Sequence, residues 1–275
     1  MKPPQFDYRR PSSLDEALAL LAQTELDPMP LAGGQSLVPM MNFRMSRPGM
    51  LVDLNRIDGL SGVTETGGLL RIGAMTRYVE LTESEAVQRA VPLLALALPH
   101  VAHPAIRNRG TVGGSLALAD PAAELPAVAL ALGATLHLER AGAARDVEAD
   151  DYFLGLYETA REDDELLTAV SIPIAAPADR CGFYEIARRH GDYAMAGVAV
   201  AANGGAWRIA FFGVADRPLR AEGAEAVLNG DAANVAGAVA ALSDLDFGGD
   251  LNGAPDTKRH LAGVALTRAI KGMAQ

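Results

Sequence analysis

The sequence predicts an α+β protein built from two mixed units and a smaller sheet-plus-helices unit. Of its 275 residues, 49% are hydrophobic and only 5% are aromatic, a composition typical of a packed chain and not of a disordered one. Apolar residues follow helical spacing in some segments and form short buried strands in others. A proline-bounded stretch at 173–177 predicts a boundary, so we expect domains at 1–176, subdivided at about 1–55 and 56–176, and at 177–275.

The sequence of the larger domain, 1–176, predicts alternating helices and strands. Ser13 and Glu16 have the spacing of a capping box, and the apolar residues behind them repeat at helical spacing. We expect buried strands at Met50–Leu54, Leu69–Ala74, Ala134–Glu139 and Glu165–Ile172. We expect helices at Val91–His100 and, with Asp120 as N-cap and Pro121 at the first position, from Asp120 to about Leu132.

The sequence of the smaller domain, 177–275, predicts one β-hairpin followed by helices. Two apolar runs, Gly197–Asn203 and Ala206–Val214, flank the turn residues Gly204 and Gly205, which is the pattern of an antiparallel hairpin. We expect helices at about Glu222–Leu228, Ala232–Leu242 and Asp256–Gly272.

Two short glycine segments carry the strongest functional signal. The first is Ala32-Gly33-Gly34-Gln35-Ser36 and the second is Thr111-Val112-Gly113-Gly114-Ser115. Paired glycines let a ligand approach the backbone closely, and consecutive N–H groups there can form a nest around an anion. Two such nests could hold the two phosphates of one dinucleotide, whereas the other glycine pairs of the chain, such as Gly67-Gly68, indicate ordinary turns.

The order of these segments resembles the FAD-binding medium subunit of molybdenum hydroxylases, the group of carbon monoxide dehydrogenase and xanthine dehydrogenase. That family has A-G-G-x-S, then T-x-G-G-S/N followed by D-P-x-x-D/E, here Asp120–Glu124, and G-D-Y/F-A, here Gly191–Ala194. The resemblance covers nearly the whole chain. It implies a two-subdomain FAD-binding fold of the vanillyl-alcohol oxidase (PCMH) type over 1–176 and a CO dehydrogenase flavoprotein C-terminal-type domain over 177–275.

The resemblance also implies roles for single residues. Glu124 would hydrogen-bond ribityl or ribose hydroxyls, Leu166 would lie at the isoalloxazine edge, and Tyr193 would cover one flavin face; helix support, a core leucine and a surface tyrosine are the alternatives. Glu185 stands where several relatives carry lysine, and we include it as a candidate contact only. The implied FAD contacts are Ala32, Gly33, Gly34, Gln35, Ser36, Leu37, Val38, Thr111, Val112, Gly113, Gly114, Ser115, Asp120, Glu124, Leu166, Glu185 and Tyr193.

Composition excludes several other functions. The formal net charge of −10 argues against nucleic-acid binding, which needs a basic face. The chain begins without an apolar signal segment, and its longest apolar stretch, near 125–136, is too short to span a bilayer. We therefore expect a cytoplasmic protein without a membrane span.

Cys181 is the only cysteine of the sequence. This chain alone therefore holds no disulfide and no cysteine-ligated cluster. We expect Cys181 to be a core residue.

These observations lead to one main hypothesis and two alternatives. As an electron-transfer subunit, the chain would carry FAD and receive electrons from the [2Fe–2S] clusters of a small partner, in a complex with a large molybdenum-cofactor partner, assembled as a dimer of heterotrimers. It would need no catalytic side chain and no metal ligand of its own. The alternatives are a stand-alone FAD-dependent oxidoreductase of the same fold and a non-redox protein. The substrate and the electron acceptor stay open.

Overall fold

The computed structural model describes residues 2–273. Its strands are β1 (Asp7–Arg9), β2 (Pro28–Leu31), β3 (Met50–Asp53), β4 (Val63–Thr66), β5 (Leu69–Gly73), β6 (Thr135–Arg140), β7 (Ala143–Glu148), β8 (Phe153–Gly155), β9 (Glu158–Thr159), β10 (Leu166–Pro173), β11 (Arg180–Ile186), β12 (Ala196–Asn203), β13 (Ala206–Phe212) and β14 (Leu219–Arg220). This mixture of strands with the helices given below confirms the predicted α+β class.

The helices are short except for the last one. They are α1 (Leu14–Leu21), α2 (Leu37–Asn42), α3 (Tyr78–Glu83), α4 (Glu85–Ala90), α5 (Pro92–Ala97), α6 (Pro104–Arg107), α7 (Val112–Leu118), α8 (Glu124–Leu132), α9 (Ala149–Tyr152), α10 (Glu222–Gly230), α11 (Val235–Ala240) and α12 (Pro255–Gly272). Turns of 3-10 helix lie at Thr24–Leu26, Leu98–His100 and Ala241–Asp244. Within residues 2–273, none of the helices combines the length and the apolar character needed to cross a membrane.

A small parallel sheet at the N-terminus positions the first glycine segment. Its order is β1-β3-β2, and both outer strands run parallel to the buried β3. Parallel neighbours need a crossover, which α1 and α2 supply on either side of β2. The predicted cap of α1 is present, since the Ser13 hydroxyl accepts the Glu16 N–H at 3.2 Å. The first glycine segment follows β2 directly, at the carboxyl end of this sheet.

The second sheet is antiparallel and has β10 at its centre. Its order is β4-β5-β10-β6-β7. Strand β10 is buried from Leu166 to Ile172, as predicted, and this buried run includes the polar residues Thr168 and Ser171. Helices α7 and α8 pack on this sheet, within a core that also includes α5. The N-terminal end of β10 therefore lies beside α7, which carries the second glycine segment.

The third sheet, β11-β12-β13-β14, is covered on both faces. Helices α10 and α12 pack with it into one core, while α5 and α8 join its other face to the second sheet. The predicted hairpin is present, and its turn residues Gly204 and Gly205 have φ of 57° and 88°, as a two-residue primed turn requires. Cys181 is half-buried in β11 and packs against the larger core.

The helix predicted to start at Asp120 starts at Glu124 instead. Ala119 has φ of 51° and ends α7 in the left-handed conformation. The chain then makes a turn in which the Asp120 Oδ1 accepts the Ala122 N–H at 2.9 Å, and Ala123 is the residue that precedes the helix. Asp120 as helix N-cap is therefore wrong. Its side chain serves the turn between two helices, of which the first, α7, was not predicted.

Candidate functional site

One cavity of about 790 Å³ brings the predicted site residues together. Both glycine segments line it, and so do the chain around 101–106, the Asp120–Glu124 turn, the start of β10 and the loop at 191–193. These pieces come from all parts of the sequence. The volume lies in the range of roughly 300–1,000 Å³ that is usual for cofactor and ligand pockets. We therefore take this cavity as the candidate functional site.

The two glycine segments pack directly against each other. A Cβ built on Gly33 would lie 2.1 Å from the Arg109 carbonyl oxygen, just before the second segment. A Cβ on Gly114 would lie 3.7 Å from the Ala32 Cβ. Gly34 has φ of 71°, a conformation that glycine adopts without strain. The close approach of the two segments thus requires glycine at position 33, whereas a Cβ at position 114 would make an ordinary contact with Ala32.

The two segments differ in their free N–H groups. Among the described residues, no acceptor is present for the backbone N–H groups from Gly33 to Ser36. In the second segment, by contrast, Val112 and Gly113 donate to the Thr76 and Ala74 carbonyls at 3.1 Å and 2.8 Å. The prediction of an anion nest in the second segment is therefore wrong. Only the first segment offers a run of free amides, and the second is the first turn of α7.

Asn55 and Asp53 hold the first segment in place, and neither was among the predicted site residues. The Asn55 Nδ2 donates to the Ala32 carbonyl at 3.0 Å and to Asp53 Oδ1 at 2.6 Å. Asp53 is buried at the end of β3 and also accepts from the Tyr8 hydroxyl. Since polar residues directly after a buried parallel strand lie at the sheet edge where ligands bind, this spacing was the signal that could have identified them.

Thr111 fixes the second segment as the N-cap of α7. Its buried hydroxyl oxygen accepts the Gly114 N–H at 3.1 Å.

We expect Thr111→Val to lower the free energy of unfolding by about 1 kcal/mol, the usual loss for a helix cap, and to weaken ligand binding in the cavity. Chemical denaturation of both proteins measures the loss. Thr111→Ser keeps the acceptor and is the matched control; equal stability of the valine variant and the wild type would contradict this role.

Two carboxyl groups line the cavity near the start of α8, namely Asp120 in the preceding turn and Glu124 as the first residue of the helix. Glu124 is 7% exposed and lines the cavity. Burial raises the pKa of Glu124 to about 7. Burial also raises the pKa of Asp120, although hydrogen bonds from the Ala122 amide and from the Tyr193 and Tyr157 hydroxyls oppose the shift. A carboxylate at this position suits vicinal hydroxyl donors of a ligand.

Leu166 and Tyr193 both line the cavity, but Leu166 is buried whereas Tyr193 is exposed to solvent. Leu166 is 4% exposed at the start of β10 and belongs to the apolar core as well as to the cavity lining. Tyr193 is 66% exposed and lines the cavity from the loop at 191–193. Desolvation and the Asp120 carboxylate raise the pKa of Tyr193 to about 12. The phenol therefore stays neutral near pH 7 and offers an accessible ring for stacking.

Three of the predicted contact residues do not line the cavity. Val112 is buried in the core, because its position in the first turn of α7 points it at the second sheet. Val38 is 42% exposed on α2. The Glu185 side chain is 4% exposed and pairs with His100 at 3.1 Å. All other predicted contact residues line the cavity.

Arg107 has a structural role that its sequence context did not reveal. Its guanidinium donates to the carbonyls of Val101 and Ala102 at 2.8 Å and 3.1 Å. Both of these residues line the cavity. Arg107 therefore holds the segment that forms one wall of the cavity.

Lys258 ties the C-terminal helix to the loop that carries Tyr193. This lysine is 1% exposed on α12. Its Nζ donates to the Met195 and Gly213 carbonyls at 2.7 Å each and to Asp250 Oδ2 at 2.8 Å. Met195 lies two residues after Tyr193, and the Gly213 N–H donates to the Pro121 carbonyl at 2.7 Å. Lys258 therefore connects the loop that follows Tyr193 with the loop at Gly213.

The donor set of the cavity fits a dinucleotide with a planar ring system. Free amides from Gly33 to Ser36 suit phosphate oxygens, and Glu124 suits ribose or ribityl hydroxyls. The remaining wall is largely apolar, with leucines, methionines and alanines from several elements. In the part of the chain that the structure describes, no group of His, Cys, Asp and Glu residues is arranged to hold a metal ion.

Comparisons with known proteins identify the family of this chain. The family described as FAD binding domain in molybdopterin dehydrogenase matches residues 4–175, and the CO dehydrogenase flavoprotein C-terminal domain matches residues 182–273. The carbon monoxide dehydrogenase medium chain of Hydrogenophaga pseudoflava is 40% identical over 279 residues, covering 98% of this chain and 97% of that protein. The nicotine 6-hydroxylase medium subunit of Paenarthrobacter nicotinovorans is 38% identical over 283 residues, covering 98% of each.

A solved structure supports the same assignment. Carbon monoxide dehydrogenase from Hydrogenophaga pseudoflava, in a form that lacks the Mo-pyranopterin moiety of the molybdenum cofactor, superposes with a TM-score of 0.95 at 41% identity. The match covers 100% of this chain and 99% of that chain. The family match and these relatives together define a flavoprotein of the oxidoreductase class. The chain belongs to the family of FAD-binding subunits of molybdenum-dependent dehydrogenases, and the resemblance stated from the sequence is confirmed.

Proposed function

We propose that this chain carries FAD as the electron-transfer subunit of a multi-subunit molybdenum hydroxylase. It would receive electrons from the [2Fe–2S] clusters of a small partner and pass them to an external acceptor. The observation that carries the proposal is the run of free amides from Gly33 to Ser36, facing the second glycine segment across one cavity. Bound FAD would supply the conversion between one-electron and two-electron transfer.

The residues around the cavity divide the work of holding the cofactor. The amides from Gly33 to Ser36 would bind the pyrophosphate, and α7 with Thr111 would hold the facing wall. Glu124 would accept hydrogen bonds from hydroxyl groups. Leu166 would exclude water from the ring edge, and Tyr193 would cover one ring face and limit access from solvent.

The proposed division of the chain into two domains follows the two family matches. They support an FAD-binding domain over 1–176 and a C-terminal domain over 177–275.

The primary substrate would bind to a large molybdenum-cofactor partner and not to this chain. This agrees with relatives whose names include both carbon monoxide and nicotine. We propose a dimer of heterotrimers as the assembly.

Native purification of the chain tests this function. A tagged chain is isolated from its source, and flavin, iron and molybdenum are measured in the product. We expect one FAD per chain, with iron and molybdenum in fixed ratio to two co-purifying chains. FAD without metals or partners would contradict the relay role and favour a stand-alone oxidoreductase, and a product that never binds flavin would overturn both.

A further inference from the structure

A short turn near the C-terminus, at residues 250–253, reaches the candidate cofactor cavity. The Asp250 N–H donates to the Gly253 carbonyl at 3.0 Å, and the Gly253 N–H donates back to the Asp250 carbonyl at 3.2 Å. Leu251 at the tip of the turn is 100% exposed. The next residue, Asn252, is half-buried and lines the cavity. Since the match to the FAD-binding family ends at residue 175, this contribution to the cavity comes from the C-terminal family region.

The Asp250 carboxylate anchors this turn with both of its oxygens. Its Oδ1 accepts the backbone N–H of Asn252 at 2.7 Å, and its Oδ2 accepts from the Lys258 ammonium at 2.8 Å. Lys258 is 1% exposed. Hydrogen bonds between charged groups are stronger than those between neutral groups. The turn therefore holds Asn252 in a fixed position, which lowers the entropic cost of binding a ligand there.

The side-chain amide of Asn252 is available to a ligand. The turn uses only the backbone N–H of this residue, and none of the described residues hydrogen-bonds with its side chain. Gln35 is the other carboxamide that lines the cavity, and its Nε2 already donates to the Gly33 carbonyl at 3.0 Å. Asn252 thus offers this cavity both an NH₂ donor and a carbonyl acceptor.

Hydrogen bonds tie this turn to the cavity wall that carries Tyr193. The Lys258 ammonium that holds Asp250 also donates to the Met195 carbonyl at 2.7 Å, two residues after Tyr193. Gly248, just before the turn, donates its N–H to the Val214 carbonyl at 2.8 Å. The proposed function assigns the flavin ring system to the wall of Tyr193 and the pyrophosphate to the first glycine segment. Asn252 therefore belongs to the wall assigned to the ring system.

We propose that Asn252 is a further cofactor-binding residue, whose side-chain amide hydrogen-bonds the polar edge of the flavin ring system. This inference rests on the proposed function, because it takes FAD as the ligand. The isoalloxazine ring has an N–H donor between two carbonyl acceptors along one edge, and a carboxamide matches such an edge with its own donor and acceptor. The side chain of Leu166 has no polar atom for this purpose. The C-terminal region thereby helps to hold a ring that the FAD-binding region encloses from the other side.

The test compares Asn252→Ala with the wild type in titrations of the FAD-free full chain. We expect FAD affinity to fall about five- to tenfold, the usual effect of losing one or two hydrogen bonds. ADP, used as a competitor of FAD, carries the adenosine and the pyrophosphate but not the ring system. Its affinity should therefore not change in the variant. Damage to the turn or to the fold would weaken the binding of FAD and ADP alike.

Two more variants separate the amide from the shape of the turn. Asn252→Asp keeps the size of the side chain but removes its NH₂ donor, so FAD affinity should fall at least as far as in Asn252→Ala. Leu251→Ser alters the fully exposed neighbour and is the matched control, which should keep wild-type affinity for FAD and ADP. Because hydrogen bonds to the ring tune its electronic properties, the visible absorption spectrum of bound FAD should shift in Asn252→Ala and not in Leu251→Ser.

The outcomes distinguish this inference from the proposed function. Wild-type FAD affinity in Asn252→Ala or in Asn252→Asp would overturn the inference and leave the function intact. Equal losses of FAD and ADP affinity in Asn252→Ala would also overturn it, because the effect would not depend on the ring system. A wild-type chain that binds no FAD would contradict the proposed function itself.

Discussion

Replacement of Gly33 by alanine should abolish tight FAD binding. The new Cβ would lie 2.1 Å from the Arg109 carbonyl oxygen and 3.0 Å from the Gly110 Cα. Both contacts are to backbone, so no flexible side chain can move aside, and the two glycine segments must separate. Overpacking of this kind costs about 1–3 kcal/mol, and separation of the cavity walls adds to the loss. We expect FAD affinity to fall by about 100-fold, as measured by titration of the purified variant.

Gly230→Ala is the matched control for this substitution. Gly230 lies at the end of α10 with open space around it and without a positive φ, so an added methyl group meets nothing. The control should keep wild-type affinity and stability. Wild-type FAD affinity in Gly33→Ala would contradict the close packing of the two segments.

Lys258→Met should give the largest loss of stability. The methionine removes the ammonium group that satisfies the Met195 and Gly213 carbonyls and Asp250. Breaking a buried, hydrogen-bonded charge in this way costs about 3–5 kcal/mol. For a chain of this size we expect the melting temperature to fall by roughly 10 °C. Because the same carbonyls hold the loop behind Tyr193, FAD affinity should also decrease.

Lys271→Met is the control on the same helix. Lys271 is exposed on α12, and its substitution should change the free energy of unfolding by less than about 0.5 kcal/mol. Thermal and chemical denaturation compare the two variants. A Lys258→Met protein as stable as the wild type would show that the buried lysine does not connect the two loops.

The candidate site was largely predictable because its motifs are local. Paired glycines beside Ser36 and Thr111 indicate close backbone approach from sequence alone, and the family pattern then places Glu124 and Tyr193. The Ser13 cap of α1 and the hairpin turn at Gly204 were predictable for the same reason. Each of these depends on residues within a few positions of one another.

What the sequence did not reveal depends on contacts between distant segments. The amides of Val112 and Gly113 donate to carbonyls almost 40 residues earlier in the chain. These amides are therefore not free to bind an anion, and the second segment is the first turn of a helix. Asn55 reaches the Ala32 carbonyl, and Lys258 reaches a carbonyl 63 residues away. Short helices such as α7 have little stability of their own, and tertiary hydrogen bonds decide where they begin.

A crystal structure of the full chain with FAD tests the proposed cofactor site. We expect the pyrophosphate to lie against the amides of Gly33 to Ser36, the hydroxyl groups near Glu124, and the ring system beside Leu166 and Tyr193. FAD bound elsewhere on the chain, or a pyrophosphate that avoids the first glycine segment, would contradict it.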